Sequence, residues 1–414
     1  MKLPATRTAF LCAAGIALVG CAGAPPVNAS GYLLTSDVSG WTSAGGPARH
    51  PVTGAPGEEV LRVRWRRLLT EPGLIEYKPQ EFASATSGGG RIYVGSRGGW
   101  FFALRPRDGE VLWKHAIDGG VSAQPLFLAD ARIGDDLNPA HATGVVYVGG
   151  SDGAMHAFDA ATGKERWTYR TKGPIGGAPV YNEGLLYFAN GENRVFCLDA
   201  RTGAWRWQYE REAPDSFTIR GYASPLVFGG RVYAGFSDGY LVALNARVGD
   251  VIWARSLAGS TTARFADVDA TPVLVDGTLY AASYSAGVYA LQPSDGSVRW
   301  RYDVEGATTV SVLGDRVYFA ATRAGVHCLD KKGHLVWQQA LAAQGELSPP
   351  TVVDGRWLMV SASDGGSFVV DPPSGRLLQF FDPGHGVTSM PATDGKQIYI
   401  LTNAGFLYAF ALRS

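Results

Sequence analysis

From residue 82 to the C-terminus, short apolar runs alternate with polar turns in a unit that recurs eight times. The fullest copy runs Ala178-Pro179-Val180-Tyr181, Gly184-Leu-Leu-Tyr187-Phe188, Val195-Phe-Cys-Leu-Asp199 and Thr202-Gly203, and ends at Trp207. Each copy predicts four strands. The first carries Pro (Pro125, Pro179, Pro225, Pro272, Pro350, Pro391) and the second a Tyr-centred run such as Ile92-Tyr93-Val94 or Val146-Tyr147-Val148. The third ends near Asp159, Asp199, Asn245 or Asp330, and the fourth holds Trp. β-branched and aromatic residues suit pleated strands, and Asp-x-x-Thr-Gly or Asp-Gly supplies a tight turn. The step Gly-x-x-x-Trp occurs six times, from Gly109/Trp113 to Gly333/Trp337; at Gly375 the Trp is replaced by Gln379. A period of roughly 40–50 residues built from short strands predicts an all-β fold, a β-propeller of four-stranded antiparallel blades, with Trp filling the wedge between blades.

The two ends of the pattern predict how the ring closes. The last copy has strands near Pro391, at Ile398-Tyr399-Ile400 and at Phe406–Phe410, and then the chain stops one strand short. Ahead of the first copy stands an orphan strand, Val60–Trp65, with Trp where a fourth strand would have it. Pairing the two removes an open edge and makes eight blades.

Composition agrees with one array rather than several domains. The chain has 414 residues, 54 Gly and 18% charged residues. Its formal net charge is zero. Loss of Lys2 and Arg7 takes Lys plus Arg from 37 to 35 against 37 Asp plus Glu, a charge of −2. Nothing in that balance points to nucleic acid as a partner.

Lys2 and Arg7 precede an apolar stretch from Ala9 to Val19, too short to span a bilayer and right for a signal segment. It ends Leu18-Val19-Gly20-Cys21, which resembles a bacterial lipobox. That resemblance implies cleavage before Cys21 and lipid on its thiol, with several acyl chains giving stable anchoring. Ala22 follows, and the lack of Asp there suggests sorting to the outer membrane. Residues 1–20 are therefore expected to be a signal peptide, 21–57 a lipidated flexible tether rich in Gly, Pro, Ser and Ala, and 58–414 the propeller.

Cys12 leaves with the signal, so two thiols remain, Cys197 and Cys328, at the same third-strand place in blades three and six. Three blades of separation exceeds the ~7 Å Cα–Cα limit for a disulfide, and buried free thiols are expected. The seven His show no metal-ligand spacing, and there is no Cys-x-x-Cys, no His-x-x-x-His, no Gly-x-Ser-x-Gly and no phosphate-cradling Gly loop. Trp205-x-Trp207 resembles part of the repeat of pyrroloquinoline-quinone enzymes. Those enzymes have adjacent cysteines, which this sequence lacks, so no cofactor and no catalytic residue is expected.

Function is then sought in loops. From the fourth-strand Trp to the next Pro takes 12 residues at Trp113→Pro125 and Trp167→Pro179, but 18 at Trp207→Pro225 and 19 at Trp253→Pro272. The stretch from Trp65 to Ala85 is also long. All such connectors emerge on one face, and the two enlarged consecutive ones must be neighbours. They contain Phe217, Ile219 and Arg220, and Asp267 and Asp269. Apolar groups beside an Arg and two carboxylates suit a protein-binding hot spot. The two Asp also suit Asx bonds that cap the turn into the next strand, and Arg220 a surface pair with Asp215. An insert, residues 129–141, falls on the opposite face and reads as a surface loop.

At these loops the chain resembles the BamB family, the lipoprotein propellers of the outer-membrane β-barrel assembly machinery. Phe217-Thr-Ile-Arg-Gly221 is similar to that family's apolar-x-Leu-Arg-Gly loop, with Phe217 at a leucine-like place. Arg264-Phe-Ala-Asp-Val-Asp-Ala-Thr-Pro272 is similar to its Arg-Leu-x-Asp-Val-Asp-x-Thr-Pro loop. The resemblance implies a non-catalytic scaffold at the outer membrane, facing the periplasm. It implies that Phe217, Ile219, Arg220, Asp267 and Asp269 bind the POTRA domains of the central barrel-assembly subunit. Addition of nascent outer-membrane strands to an exposed edge is a further mode that nothing in the sequence demonstrates. The alternatives are a periplasmic quinoprotein-like enzyme and a ligand-binding propeller with a different partner.

Overall fold

The computed structural model describes residues 52–54, 60–71, 79–129, 144–212, 223–258 and 267–412, the first three by backbone alone. They form eight antiparallel sheets of four strands each, with additions to the seventh. Blade three is typical: Val180–Asn182, Leu185–Asn190, Arg194–Asp199 and Trp205–Glu210, each paired with the next. Blade two interrupts this order between Leu126–Leu128 and Val145–Gly149, where the insert expected as a surface loop lies outside the described residues.

The two middle strands of a blade are covered on both faces by neighbouring blades, which is why they read as continuous apolar runs. In blade two every residue of Val145–Gly149 and of Ala154–Asp159 is buried. Fourth strands lie towards the rim and most are largely exposed, as in Val251–Ser256, whereas Leu377–Phe381 of blade seven, covered by an added strand, is mostly buried. The core is accordingly divided into clusters between blades. Trp65, Ile92, Val94, Leu104, Tyr399 and Leu407 pack between blades eight and one.

In every blade but the seventh, the fourth-strand Trp bridges two blades. Its indole N–H donates to a backbone carbonyl in the next blade's outer turn at 2.8–3.2 Å, seven times around the ring from Trp65→Pro106 to Trp337→Pro372. In five blades the second-strand Tyr donates its hydroxyl to the same carbonyl; Tyr187 and Trp207 share Ala246 O at 3.0 Å each. The turn glycine of the next blade lies flat on the indole. A Cβ on Gly203, whose φ is +71°, would fall 2.7 Å from Trp167 Cδ2. Gly is therefore required there twice over, by conformation and by contact.

Closure is as expected. Leu61–Leu68 pairs antiparallel with Phe406–Leu412 and completes blade eight, with Trp65 Nε1 donating to Pro106 O in blade one. Two features were not expected. Val52–Gly54, inside the stretch read as tether, pairs with Leu377–Phe381 as an additional outer strand of blade seven, so ordered pairing begins ahead of residue 58. On the inner side of blade seven, Trp357–Asp364 is long enough to pair both with Thr351–Val353 and with Gln344–Leu347.

Candidate partner-binding face

Connectors from fourth to first strand and the turns between second and third strands meet at one end of the ring, where they are stitched together. Val121, Ile175, Val268 and Val387 each donate a backbone N–H to the second-to-third turn of the blade before (Ser96, Gly150, Phe236 and Ala362), at 2.9–3.1 Å. The residue ahead of each accepts from the turn of the blade that follows, as in Ser151 N→Gly120 O at 2.9 Å and Tyr284 N→Asp267 O at 3.1 Å. Asp267 thus takes the place held by Gly120, Pro174 and Gly386 in other connectors. Each of these stands five residues before a strand-opening Pro, and so does Arg220 before Pro225. By sequence spacing the two charged residues are equivalent in consecutive connectors.

The end of the second enlarged connector is wedged tightly. Val268 is fully buried, and a Cβ on Gly235 would come within 2.2 Å of Val268 O, so only Gly admits the connector this close. Asp267 is 1% exposed, whereas Asp269 is half-buried. The sequence had placed both on an equal footing. Loop length signals a loop's size but not the depth of its residues, and the Val268 wedge draws Asp267 down with it.

Beneath the connectors runs a chain of hydroxyl acceptors. Ser224 Oγ accepts from Ala178 N, Thr271 Oγ1 from Ser224 N and Thr309 Oγ1 from Thr271 N, at 2.8–3.0 Å. It links the entries to the first strands of blades three to six. The first connector is also pinned where it leaves blade three. Arg211 donates its backbone N–H to Asn193 O and its Nε to Asp238 Oδ2, and its guanidinium lies 4.2 Å over the Tyr240 ring. The second is pinned at Leu257, whose N–H reaches Gly239 O at 2.8 Å. Phe217, Ile219 and Arg220 lie outside the described residues, as does Cys21.

Across the same face, blades seven and eight border a cleft of about 570 Å³ lined by Gln80, Ser363, Asp364, Asp382, His385 and Asn403. Beside it is Glu81, fully buried, at the place where other connectors carry Val or Ile. Its carboxylate accepts the Arg97 backbone N–H at 2.9 Å and stands 3.2 Å from Arg97 Nε, and its own N–H goes to Asn403 Oδ1. Sequence reasoning missed this polar junction. The available signal was an acidic residue in an otherwise aliphatic place, in the long Trp65-to-Ala85 connector.

Cys197 and Cys328 are free and buried, as expected. Burial pushes their thiols up to about 12 and about 11, far from the thiolate needed of a nucleophile. Among the described residues, no group of three or more His, Cys, Asp or Glu is arranged to hold a metal ion.

A family model described as "Outer membrane protein assembly factor BamB" matches residues 56–135, 129–333 and 326–414. BamB of Escherichia coli (strain K12) is 29% identical over 328 residues, 77% of this chain and 81% of that one. Among solved structures, BamB from Moraxella catarrhalis superposes with a TM-score of 0.71 at 21% identity, covering 85% of this chain and 100% of that one. A quinohemoprotein alcohol dehydrogenase from Pseudomonas putida HK5 reaches 0.65 at 14% identity, over 86% of this chain and 77% of that one. At such identities the structural likenesses speak to the fold alone. The family match spans nearly all of the propeller, and with it the chain belongs to the BamB family of outer membrane protein assembly factors.

Proposed function

We propose that this protein is a non-catalytic scaffold of outer-membrane β-barrel assembly, anchored through lipid on Cys21 and facing the periplasm. Its enlarged connectors grip a POTRA domain of the central assembly subunit. Arg220 and Asp269 make the charged contacts, Phe217 and Ile219 the apolar ones, and Asp267 holds the second connector in place from below. One observation carries this reading. The two enlarged consecutive connectors, from Trp207 and from Trp253, carry Arg220 and Asp267 at the same spacing, five residues before a strand-opening Pro, and backbone-to-hydroxyl bonds tie together the strand entries that follow them. A rigid platform presenting a few charged and apolar side chains is what a binding hot spot needs.

The test is photo-crosslinking in cells from positions 220 and 269, with a control probe at position 135 in the insert on the opposite face. Crosslinks to the central assembly subunit from 220 and 269 but not from 135 are expected. A folded, membrane-localised protein giving none from 220 or 269 would remove this face as the docking site.

A further inference from the structure

The outermost strand of blade eight, Leu61–Leu68, reads LRVRWRRL, with four arginines and no acidic residue. The fourth strands of blades two and five, Glu165–Arg170 and Val298–Tyr302, carry two arginines each, and those of blades six and seven, Leu335–Gln339 and Leu377–Phe381, carry none. Glu58, Glu59 and Glu71 flank the strand in sequence, but within it the charge is all positive. Elsewhere on the rim arginines meet carboxylates: Arg166 with Asp159, Arg206 with Asp199, Arg301 with Asp303. Arg62, Arg64 and Arg67 are exposed, and among the described residues no carboxylate pairs with them. On the neighbouring blade Arg67 Nε donates to Gly109 O at 2.8 Å, and the flanking acids Asp108 and Glu110 are engaged by Arg105. Lys114, exposed over the Trp100 ring on that blade, extends the cationic surface.

The chain enters the propeller next to this strand, on the rim of blade seven. Val52–Gly54 lies on the outer edge of blade seven and Leu61 opens the fourth strand of blade eight, so the segment running back to Cys21 attaches at this rim. Residues 22–51 separate Val52 from Cys21. An anchor at Cys21 would tether the ring through the rim of blades seven and eight.

We infer that the arginine strand of blade eight docks on the anionic phospholipid surface of the membrane that holds the anchor, setting the propeller edge-on to it. The inference rests on the lipid-anchor part of the proposed function. Basic side chains beside an anchor are attracted by anionic headgroups, and the attraction is screened by salt.

The test uses the mature chain with Cys21→Ser, exported through a non-lipoprotein signal segment, so that neither the acyl chains nor the assembly partner contributes. Co-sedimentation is measured with phosphatidylglycerol-containing vesicles and with phosphatidylcholine vesicles. Expected is binding to the anionic vesicles alone, lost at high salt and weakened roughly five-fold per arginine removed. The reversal variant R62E/R64E/R67E should lose it, and the control R201E/R247E/R356E, of equal charge change on other blades, should keep it. Should the reversal variant melt early by circular dichroism, R62Q/R64Q replaces it, with a smaller expected loss. Absence of binding, equal binding to both vesicles, or equal loss in the control overturns the inference. Crosslinking from position 220 would be untouched by that failure, and mass spectrometry of Cys21 separately tests the anchor.

Discussion

The side chain of Gln379 holds both polar groups of the Leu61 backbone, 318 residues away in sequence. Its Oε1 accepts from Leu61 N at 2.7 Å and from Val60 N at 2.8 Å, and its Nε2 donates to Leu61 O at 3.0 Å. Gln379 is fully buried and stands where six copies of the repeat have Trp. The exception has a physical reason. Every bridging Trp needs a turn in the next blade, with a glycine to lie on and a carbonyl to accept its N–H. In blade eight that turn is interrupted, because its third strand ends near the C-terminus and its fourth begins near the N-terminus. What stands there instead is the start of the closing strand, with amides to satisfy, and a carboxamide satisfies them. Gln379→Leu should therefore cost about 2–4 kcal/mol, the expense of stranding buried backbone groups. Gln379→Trp, which restores the repeat pattern, should destabilise too. Denaturant unfolding checks both; a midpoint within error of wild type for Gln379→Leu would remove the amide from the closure.

The turn glycines allow the Trp contact to be separated from backbone conformation. Gly203 and Gly277 share nearly the same φ, +71° and +69°, but a Cβ at Gly203 would strike the Trp167 indole while at Gly277 it meets open space. Gly277→Ala should cost about 1 kcal/mol from the left-handed backbone alone, and Gly203→Ala roughly 2–3 kcal/mol more from the clash. Equal losses in denaturant unfolding would mean that the indole yields freely and does not set the blade spacing.

Thiol chemistry offers a cheap readout of both fold and anchor. With Cys197 and Cys328 buried and their pKa values raised by that burial, the native lipidated protein should show no fast-reacting thiol with an aromatic disulfide reagent at pH 8. Denaturation should release two. One fast thiol in the native protein would mark Cys21 as unmodified; two would contradict the packing of blades three and six.

Much of this was legible in the sequence because a repeat makes each copy a check on the others. Strand order, the bridging Trp, the closing strand and the buried thiols all follow from comparing copies. What escaped was non-local or concerned depth. Val52–Gly54 lies in a Gly- and Pro-rich stretch, and only the exposed edge of Leu377–Phe381 makes it a strand. Gln379 was visible as an exception, but its partner lies at the other end of the chain. Asp267 and Asp269 look alike in sequence, and the Val268 wedge buries one more than the other. Glu81 is an odd residue in an aliphatic place until Arg97 and Asn403 are seen beside it.

One buried histidine should tie stability to pH. His327 is 2% exposed, stacked 4.9 Å from Phe319, and burial lowers its pKa below 6.5 against an opposing contact with the Gly325 backbone. The fold accepts the neutral ring, so its contribution is whole above about pH 6.5 and is lost as pH falls below that value towards the lowered folded one. At the same third-strand place blades one, three and seven carry Phe102, Phe196 and Phe368. His327→Phe is therefore expected to leave stability at pH 8 within about 1 kcal/mol and to flatten its decline between pH 6.5 and 5. Urea midpoints across that range test it, and an unchanged slope would assign the decline to other groups.

The proposed docking face makes a prediction that separates binding from folding. Asp269 is half-buried and Asp267 almost wholly so, the latter in a connector stitched to Phe236 and Tyr284. Asp269→Ala should weaken capture of the central subunit's POTRA domains roughly ten-fold or more with an unchanged melting temperature, as expected of a hot-spot side chain near the surface. Asp267→Ala should weaken capture and lower the melting temperature together, because it alters the wedge that shapes the connector. Arg220→Glu, at the equivalent place in the adjacent connector, should abolish capture through like-charge contact with any acidic partner group while leaving the melt unchanged. Titration calorimetry with isolated POTRA domains and parallel thermal melts distinguish these outcomes. Full affinity in both Asp269→Ala and Arg220→Glu would move the partner off this face, and a melting loss confined to Asp269→Ala would reverse the structural roles given to the two carboxylates.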